Sequence, residues 1–242
     1  KYVVPSAPGK RFPEDTKVTD MLYKCYAEAE AGKNIEKSLN AIEERYNEII
    51  KGLGLKLSLK EQFETIKKNF EALAGKDYAA SRGEYLNGII MANYLGYEFI
   101  DAATVICFNK DGEFDSEKTN AVCEAKFANI ERAVVPGFYG AMPNGKVKTF
   151  SRGGSDVTGS IVARALKADM YENWTDVSGF LAADPRIVNN AKPINVITYK
   201  ELRELSYMGA SVLHESAIFP VRKGGIPVSY THLRAHETSQ DL

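Results

Sequence analysis

The chain has 242 residues, 44% hydrophobic and 26% charged, a globular composition that excludes disordered and collagen-like classes. With 31 Lys and Arg against 32 Asp and Glu, the net charge is −1, so no global positive field exists to hold a nucleic-acid backbone. No apolar run approaches the roughly 18 residues a membrane helix needs.

Lys1 opens directly into Tyr2–Ala7, which reads as a strand already under way, with no initiator Met or leader ahead of it. Residues 17–74 are helical in character. Ile35, Leu39, Ile42, Tyr46, Ile49 and Ile50 follow helical spacing, and Leu59, Phe63, Ile66, Phe70 and Leu73 step by four and three. Gly52-Leu53-Gly54 breaks the two sets, and the pair reads as an amphipathic hairpin lying on the domain. Ser81 to Glu84 is expected to open a helix that runs to Leu95 and stops at Gly96. Phe99 to Phe108 reads as a buried strand region, followed by a tight turn at Asn109–Gly112. Asp115 is placed to cap a helix running to about Ile130, and Ala133–Val135 reads as a short strand ending at Pro136-Gly137. Asn144-Gly145 is a hairpin signal before the strand Lys146–Phe150. A helix from about Asp156 to Ala168 and a strand Met170–Thr175 come next, and Gly225–Ser229 reads as the start of another strand. Residues 230–242 turn polar without period, so they read as a tail foreign to the rest, and the chain as an internal piece of a longer one. Its histidines, His232 and His236, are not taken as a metal site. Cys25, Cys107 and Cys123 are odd in number and form no Cys-x-x-Cys pair. They read as small buried hydrophobes in a reducing, cytoplasmic setting, not as a disulfide framework or zinc site.

Strands separated by helices at this rhythm predict a mostly parallel sheet covered on both faces, with ligands beyond the carboxyl ends of the strands. The sharpest chemical signal is Ser151-Arg152-Gly153-Gly154-Ser155-Asp156 between a strand and a helix. Glycines let backbone N–H groups approach a ligand, and a helix N-terminus favours an anion. Arg152 adds a planar fork suited to a carboxylate or phosphate. The plainer reading is a glycine turn with Ser155 or Asp156 as N-cap. A second loop, Trp174 to Arg186, places Asp176, Asp184 and Arg186 beyond a strand, a set suited to a nucleotide and its Mg²⁺ or to an ordinary acidic turn.

Arg152–Asp156, Thr175-Asp176-Val177-Ser178-Gly179 and Asp184-Pro185-Arg186 together closely resemble aspartate kinases of the amino-acid kinase superfamily. Val3–Ala7, Ser81–Glu84, Pro136–Gly140 and Gly209–His214 match in the same order, so the resemblance covers residues 1 to about 229. It implies a three-layer α/β/α sandwich around a mostly parallel sheet. It also implies MgATP-dependent phosphorylation of the L-aspartate side-chain carboxylate to 4-phospho-L-aspartate, the entry to lysine, threonine and methionine biosynthesis. By the family's pattern Arg152 pairs with a substrate carboxylate, with Gly153, Gly154 and Ser155 beside it. Asp156 orients the phosphate-binding lysine, Glu84 binds the substrate's α-ammonium group, and Phe138 borders the aspartate pocket. Thr175, Asp176 and Arg186 contact ATP, with Asp184 in the same loop and Ser211 at most a backbone contact. On residues alone Ser81-x-x-Glu84 is a capping box and Phe138 is plain packing.

The family's Lys-Phe-Gly-Gly motif does not precede the first strand here. The resemblance makes its lysine the group that neutralises the transferring phosphoryl, so the chain as written is expected to be nearly inactive. The C-terminal ACT domains that the resemblance links to feedback control and homo-oligomerisation are not in the sequence either. Kinases for glutamate, acetylglutamate, carbamate or UMP share the architecture, and a non-catalytic ligand-binding α/β module is the alternative from another class.

Overall fold

A computed structural model describes residues 1–151, 153–175, 187–188, 190, 192, 194–207 and 215–232. The chain divides into two compact units, residues 1–158 and 159–242.

The first unit joins a small parallel sheet to a helical layer. Strands β1 (Tyr2–Val3), β2 (Glu98–Phe99) and β3 (Ala133–Val134) pair in the order β1-β3-β2, all parallel, with Tyr2 and Glu98 both opposite Ala133. Helix α1 (Val18–Glu30) falls in the stretch read as helical in character, and α2 (Glu36–Gly52) and α3 (Lys60–Glu71) form where the two apolar sets predict. Their apolar faces close on one core with α4 (Lys76–Leu95), built from Leu22, Ile42, Tyr46, Ile66, Phe70 and Leu86 among others. Phe70 is fully buried at its centre, edge-on to Tyr26 at 5.4 Å and Tyr78 at 6.3 Å.

Helix α4 differs from the expectation that Ser81 starts it. It begins after Gly75, whose φ of +111° turns the chain into the helix, so Ser81 and Glu84 lie in its buried middle and are no capping box. Lys76 to Ala80 are mostly good helix formers, and Asp77 in the first turn accepts from Lys148 Nζ at 3.0 Å and Thr149 Oγ1 at 2.8 Å. The C-terminal stop is as read: Gly96 adopts the left-handed conformation at φ +66°.

The expected strand over Phe99–Phe108 is interrupted. Asp101 caps a 3₁₀ turn at Ala102–Thr104 by accepting from Ala103 N–H at 2.9 Å, so only Glu98–Phe99 pairs before it and Cys107 forms a lone parallel bridge to Ala141 after it. Asp115 caps α5 (Ser116–Phe127) through Lys118 N–H at 2.9 Å, and that helix ends three residues short of Ile130. Strands β4 (Tyr139–Ala141) and β5 (Val147–Thr149) form the hairpin that Asn144-Gly145 signals. Burial pushes the Cys25 and Cys123 thiols up to about 11 and about 12, while Cys107 is half-buried.

Helix α6 (Gly154–Ala165) starts two residues earlier than expected and ends before Ala168. In the second unit, β6 (Tyr171–Thr175) pairs in parallel with β7 (Val228–His232), so the strand expected at Gly225–Ser229 continues through the first three residues of segment 230–242. Helices α7 (Tyr199–Tyr207) and α8 (Glu215–Gly224) complete it, with a small core of Ala163, Val221 and Ile226. No helix among the described residues is long and apolar enough to cross a membrane.

Truncating the fully packed ring at the centre of the helical layer should remove transfer energy and leave a void. Phe70→Ala is expected to lower the unfolding free energy by about 3–5 kcal/mol, read from denaturant midpoints at constant slope.

Candidate functional site

The carboxyl ends of β1 and β3 run into two short segments, Pro5–Ala7 and Pro136–Phe138, which lie side by side: Gly137 N–H donates to the Pro5 carbonyl at 3.1 Å. This is where a parallel sheet leaves room for a ligand. The amino end of α6 is set against the second segment. A Cβ on Gly137 would fall 2.7 Å from Ser155 Cβ, and one on Gly154 would fall 2.2 Å from a Phe138 ring carbon. Only hydrogen at both positions allows the approach.

Phe138 holds a left-handed φ of +79°, uncommon for an aromatic residue. Two hydrogen bonds keep it there: its N–H donates to Thr158 Oγ1 at 3.0 Å and its carbonyl accepts from Phe150 N–H at 2.9 Å. Thr158, fully buried, donates onward to the Gly154 carbonyl at 2.8 Å. It therefore ties the Phe138 turn to the first turn of α6. Nothing in the sequence marks Thr158 for this, since a threonine bonding back four residues is ordinary helix chemistry and its second partner is 20 residues away.

The glycine pair thus lets a helix N-terminus sit at this corner. Gly153 sits at φ +56°, and its carbonyl accepts from Val157 N–H at 2.8 Å, so Gly153 occupies the capping position. Ser155 and Asp156 fall inside the first turn, half-buried, and are not the N-cap. Phe138, half-buried over Gly154, both packs and borders this corner.

Glu84 approaches from α4. Its residue is 7% exposed and its Oε2 is buried with no hydrogen-bond partner among the described residues. Burial pushes the carboxyl up to about 7, with its own backbone amide, that of Ala7 and the Arg82 charge offsetting part of the shift. Ala7 belongs to the segment that Gly137 bonds, and its Cβ packs at the backbone of Gly83, beside Glu84. One short stretch, Pro5–Ala7, is therefore flanked by the acid and by the helix corner.

Thr175 is half-buried at the carboxyl end of parallel strand β6. Arg152, Asp176, Asp184, Arg186 and Ser211 lie outside the described residues. Among the described residues no group of three His, Cys, Asp or Glu side chains is placed to hold a metal ion.

The stability of the first unit should carry Glu84's signature. Between its ordinary value near 4.5 and about 7 the folded state holds a proton that the unfolded chain releases. Stability from this group is full below the lower value and is lost as pH rises through the upper one, a cost of about 3 kcal/mol. The unfolding free energy of Glu84→Gln minus that of the native chain should rise across this window in urea titrations; a flat difference contradicts the assignment.

The amino acid kinase family matches residues 3–229. The chain is 38% identical to aspartokinase 3 of Bacillus subtilis over 94% of its own length and 53% of that protein. It is 28% identical to the lysine-sensitive aspartokinase 3 of Escherichia coli, over 87% of this chain and 51% of that one. Among solved structures, an aspartate kinase from Clostridium acetobutylicum superposes with TM-score 0.89 at 56% identity, covering 96% of this chain and 53% of that one. E. coli aspartokinase III in complex with aspartate and ADP gives TM-score 0.68 at 26% identity, over 95% of this chain and 55% of the other. The chain spans about half the length of these relatives. With the family matched over nearly all of its length, this chain belongs to the amino acid kinase family.

Proposed function

We propose that the chain carries the catalytic unit of an aspartate kinase, which transfers the γ-phosphoryl of ATP to the side-chain carboxylate of L-aspartate and yields 4-phospho-L-aspartate and ADP. The carrying observation is the pairing of opposite demands about Pro5–Ala7: a buried, unpartnered carboxylate oxygen on Glu84, and a glycine-cleared helix N-terminus at Gly153–Ser155. The first calls for a cation and the second for an anion, which an amino acid with a second carboxylate supplies together. The likeness to the E. coli enzyme in complex with aspartate and ADP supports aspartate and an adenine nucleotide as ligands.

The chemistry needs little from a base. The accepting carboxylate is already ionised at neutral pH. The obstacle is holding two anions in line while charge moves to the transferring group, so catalysis is positioning and neutralisation. Glu84 accepts from the α-ammonium. Backbone N–H groups of Gly153–Ser155 and the Arg152 guanidinium hold a carboxylate. Asp156 orients the phosphate-binding lysine that the family's Lys-Phe-Gly-Gly motif supplies, and Phe138 closes the side of the pocket. Thr175, Asp176, Asp184, Arg186 and the backbone at Ser211 belong to the nucleotide. Asp176 and Asp184 carry the carboxylates that would hold an Mg²⁺ brought in with ATP, which would neutralise phosphate charge there.

Binding tests this without requiring turnover. In calorimetric titrations with MgATP present, L-aspartate is expected to bind and L-glutamate to bind more weakly. Glu84→Gln should weaken L-aspartate by about 10- to 100-fold, the worth of a charge-assisted hydrogen bond. Because the acid must be ionised to meet an ammonium, native affinity should fall below about pH 7 and the variant's should not. Preference for L-glutamate would overturn the substrate; absence of any heat with MgATP would favour the ligand-binding module instead.

A further inference from the structure

A cavity of about 160 Å³ opens between α3 and α4, lined by Glu61, Gln62, Thr65, Ile66, Tyr78, Arg82 and Tyr85. Arg82 and Glu84 are two residues apart on one helix, which sets their side chains about 200° apart around its axis, so this cavity lies on the face of α4 opposite the proposed substrate acid.

Three observations distinguish it from a packing gap. Arg82 is 5% exposed, and no carboxylate among the described residues pairs with it. Its Nε and Nη2 donate to Ser81 Oγ at 3.1 and 2.9 Å, and it rests against the rings of Tyr85 at 4.3 Å, Tyr78 at 4.5 Å and Tyr139 at 5.3 Å. The rings support the cation without neutralising it. Opposite, Gln62 Oε1 is buried with no hydrogen-bond partner among the described residues. A buried guanidinium that no described carboxylate pairs with thus shares a cavity with a buried acceptor that has no partner among the described residues. The Glu61 carboxylate stands at the exposed rim one residue before Gln62.

We propose that this cavity is a binding site for a small zwitterion, with its carboxylate against Arg82 and its ammonium against Gln62 Oε1 and Glu61. The arrangement disfavours a phosphate dianion, which Glu61 repels, and a simple cation, which Arg82 repels. Thr65 Oγ1 already donates to the Glu61 carbonyl at 2.9 Å and keeps its lone pairs for the ligand ammonium. The volume suits an amino acid of few heavy atoms. None of its residues contacts substrate in the kinase reading, although the Arg82 charge reaches Glu84.

The test is NMR of the full chain with isotope-labelled Ile and Thr methyls, titrated with glycine, L-alanine and L-serine, and separately with acetate and methylammonium. Ile66 and Thr65 line the cavity, so their methyls report its occupancy. At least one zwitterion is expected to shift both saturably, with Kd on the order of 1 mM, and each half-ligand to bind at least about tenfold more weakly. Gln62→Leu, which replaces the orphaned acceptor with carbon, should weaken the zwitterion about tenfold. Glu61→Gln on the exposed rim should weaken it about threefold. No saturable shift at these two methyls, shifts confined to methyls elsewhere, or equal affinity in both variants would each overturn the proposal.

Discussion

The site of this protein depends on one close contact. Pro136–Phe138 and the first turn of α6 meet where Gly137 faces Ser155 and Gly154 faces the Phe138 ring, at separations that leave no room for a methyl group on either side. That approach carries the positive end of a helix to the carboxyl ends of β1 and β3. Once the backbones are so near, the rest follows from local bonding. Phe138 is turned into a left-handed conformation, Thr158 and Phe150 hold it there, and the Pro5 carbonyl is tied to Gly137. The energy that maintains the unusual φ comes from bonds made at positions with no catalytic chemistry of their own, as expected where a fold stores strain at a functional corner.

Electrostatics divides the corner into two poles. The α6 terminus offers N–H groups, while Glu84 offers a carboxylate whose charge is costly in its buried setting. An acid held near neutrality this way is only half committed to its charge at physiological pH. On the proposed reading a substrate ammonium restores the ionised form, adding its charge to the partial offset that Arg82 already gives. The helical layer of α1–α4 serves this by burying α4 on nearly all sides, which fixes Glu84's height relative to Pro5–Ala7. Arg82, two residues earlier, is buried by the same layer against three tyrosine rings.

Much of this was legible in the residues. Helical spacing located α2 and α3, Asp115 located the start of α5, Gly96 the end of α4, and Asn144-Gly145 the β4–β5 hairpin, because each is a local cause with a local effect. Motif order pointed to the family, and the glycine pair to a helix N-terminus. Local rules failed where tertiary contacts decide. Ser81-x-x-Glu84 has the pattern of a cap, yet five helical residues precede it and the surrounding helices bury it. Asp101 broke a run that hydropathy alone reads as one strand. Thr158's role depends on a partner far along the chain, and the Arg82–Gln62 cavity on the packing of two separate helices, so no spacing rule reaches either.

The most direct measurement of the central claim is L-aspartate affinity in Gly154→Ala, beside its unfolding free energy. A methyl group there must push Phe138 and the α6 terminus apart, at a cost of about 1–3 kcal/mol in stability. The account expects a chain that still folds but binds L-aspartate at least about tenfold more weakly, with MgATP affinity changed far less. Native aspartate affinity in the folded variant would contradict it, because the helix end would then be shown to act without its close seat on the strand ends.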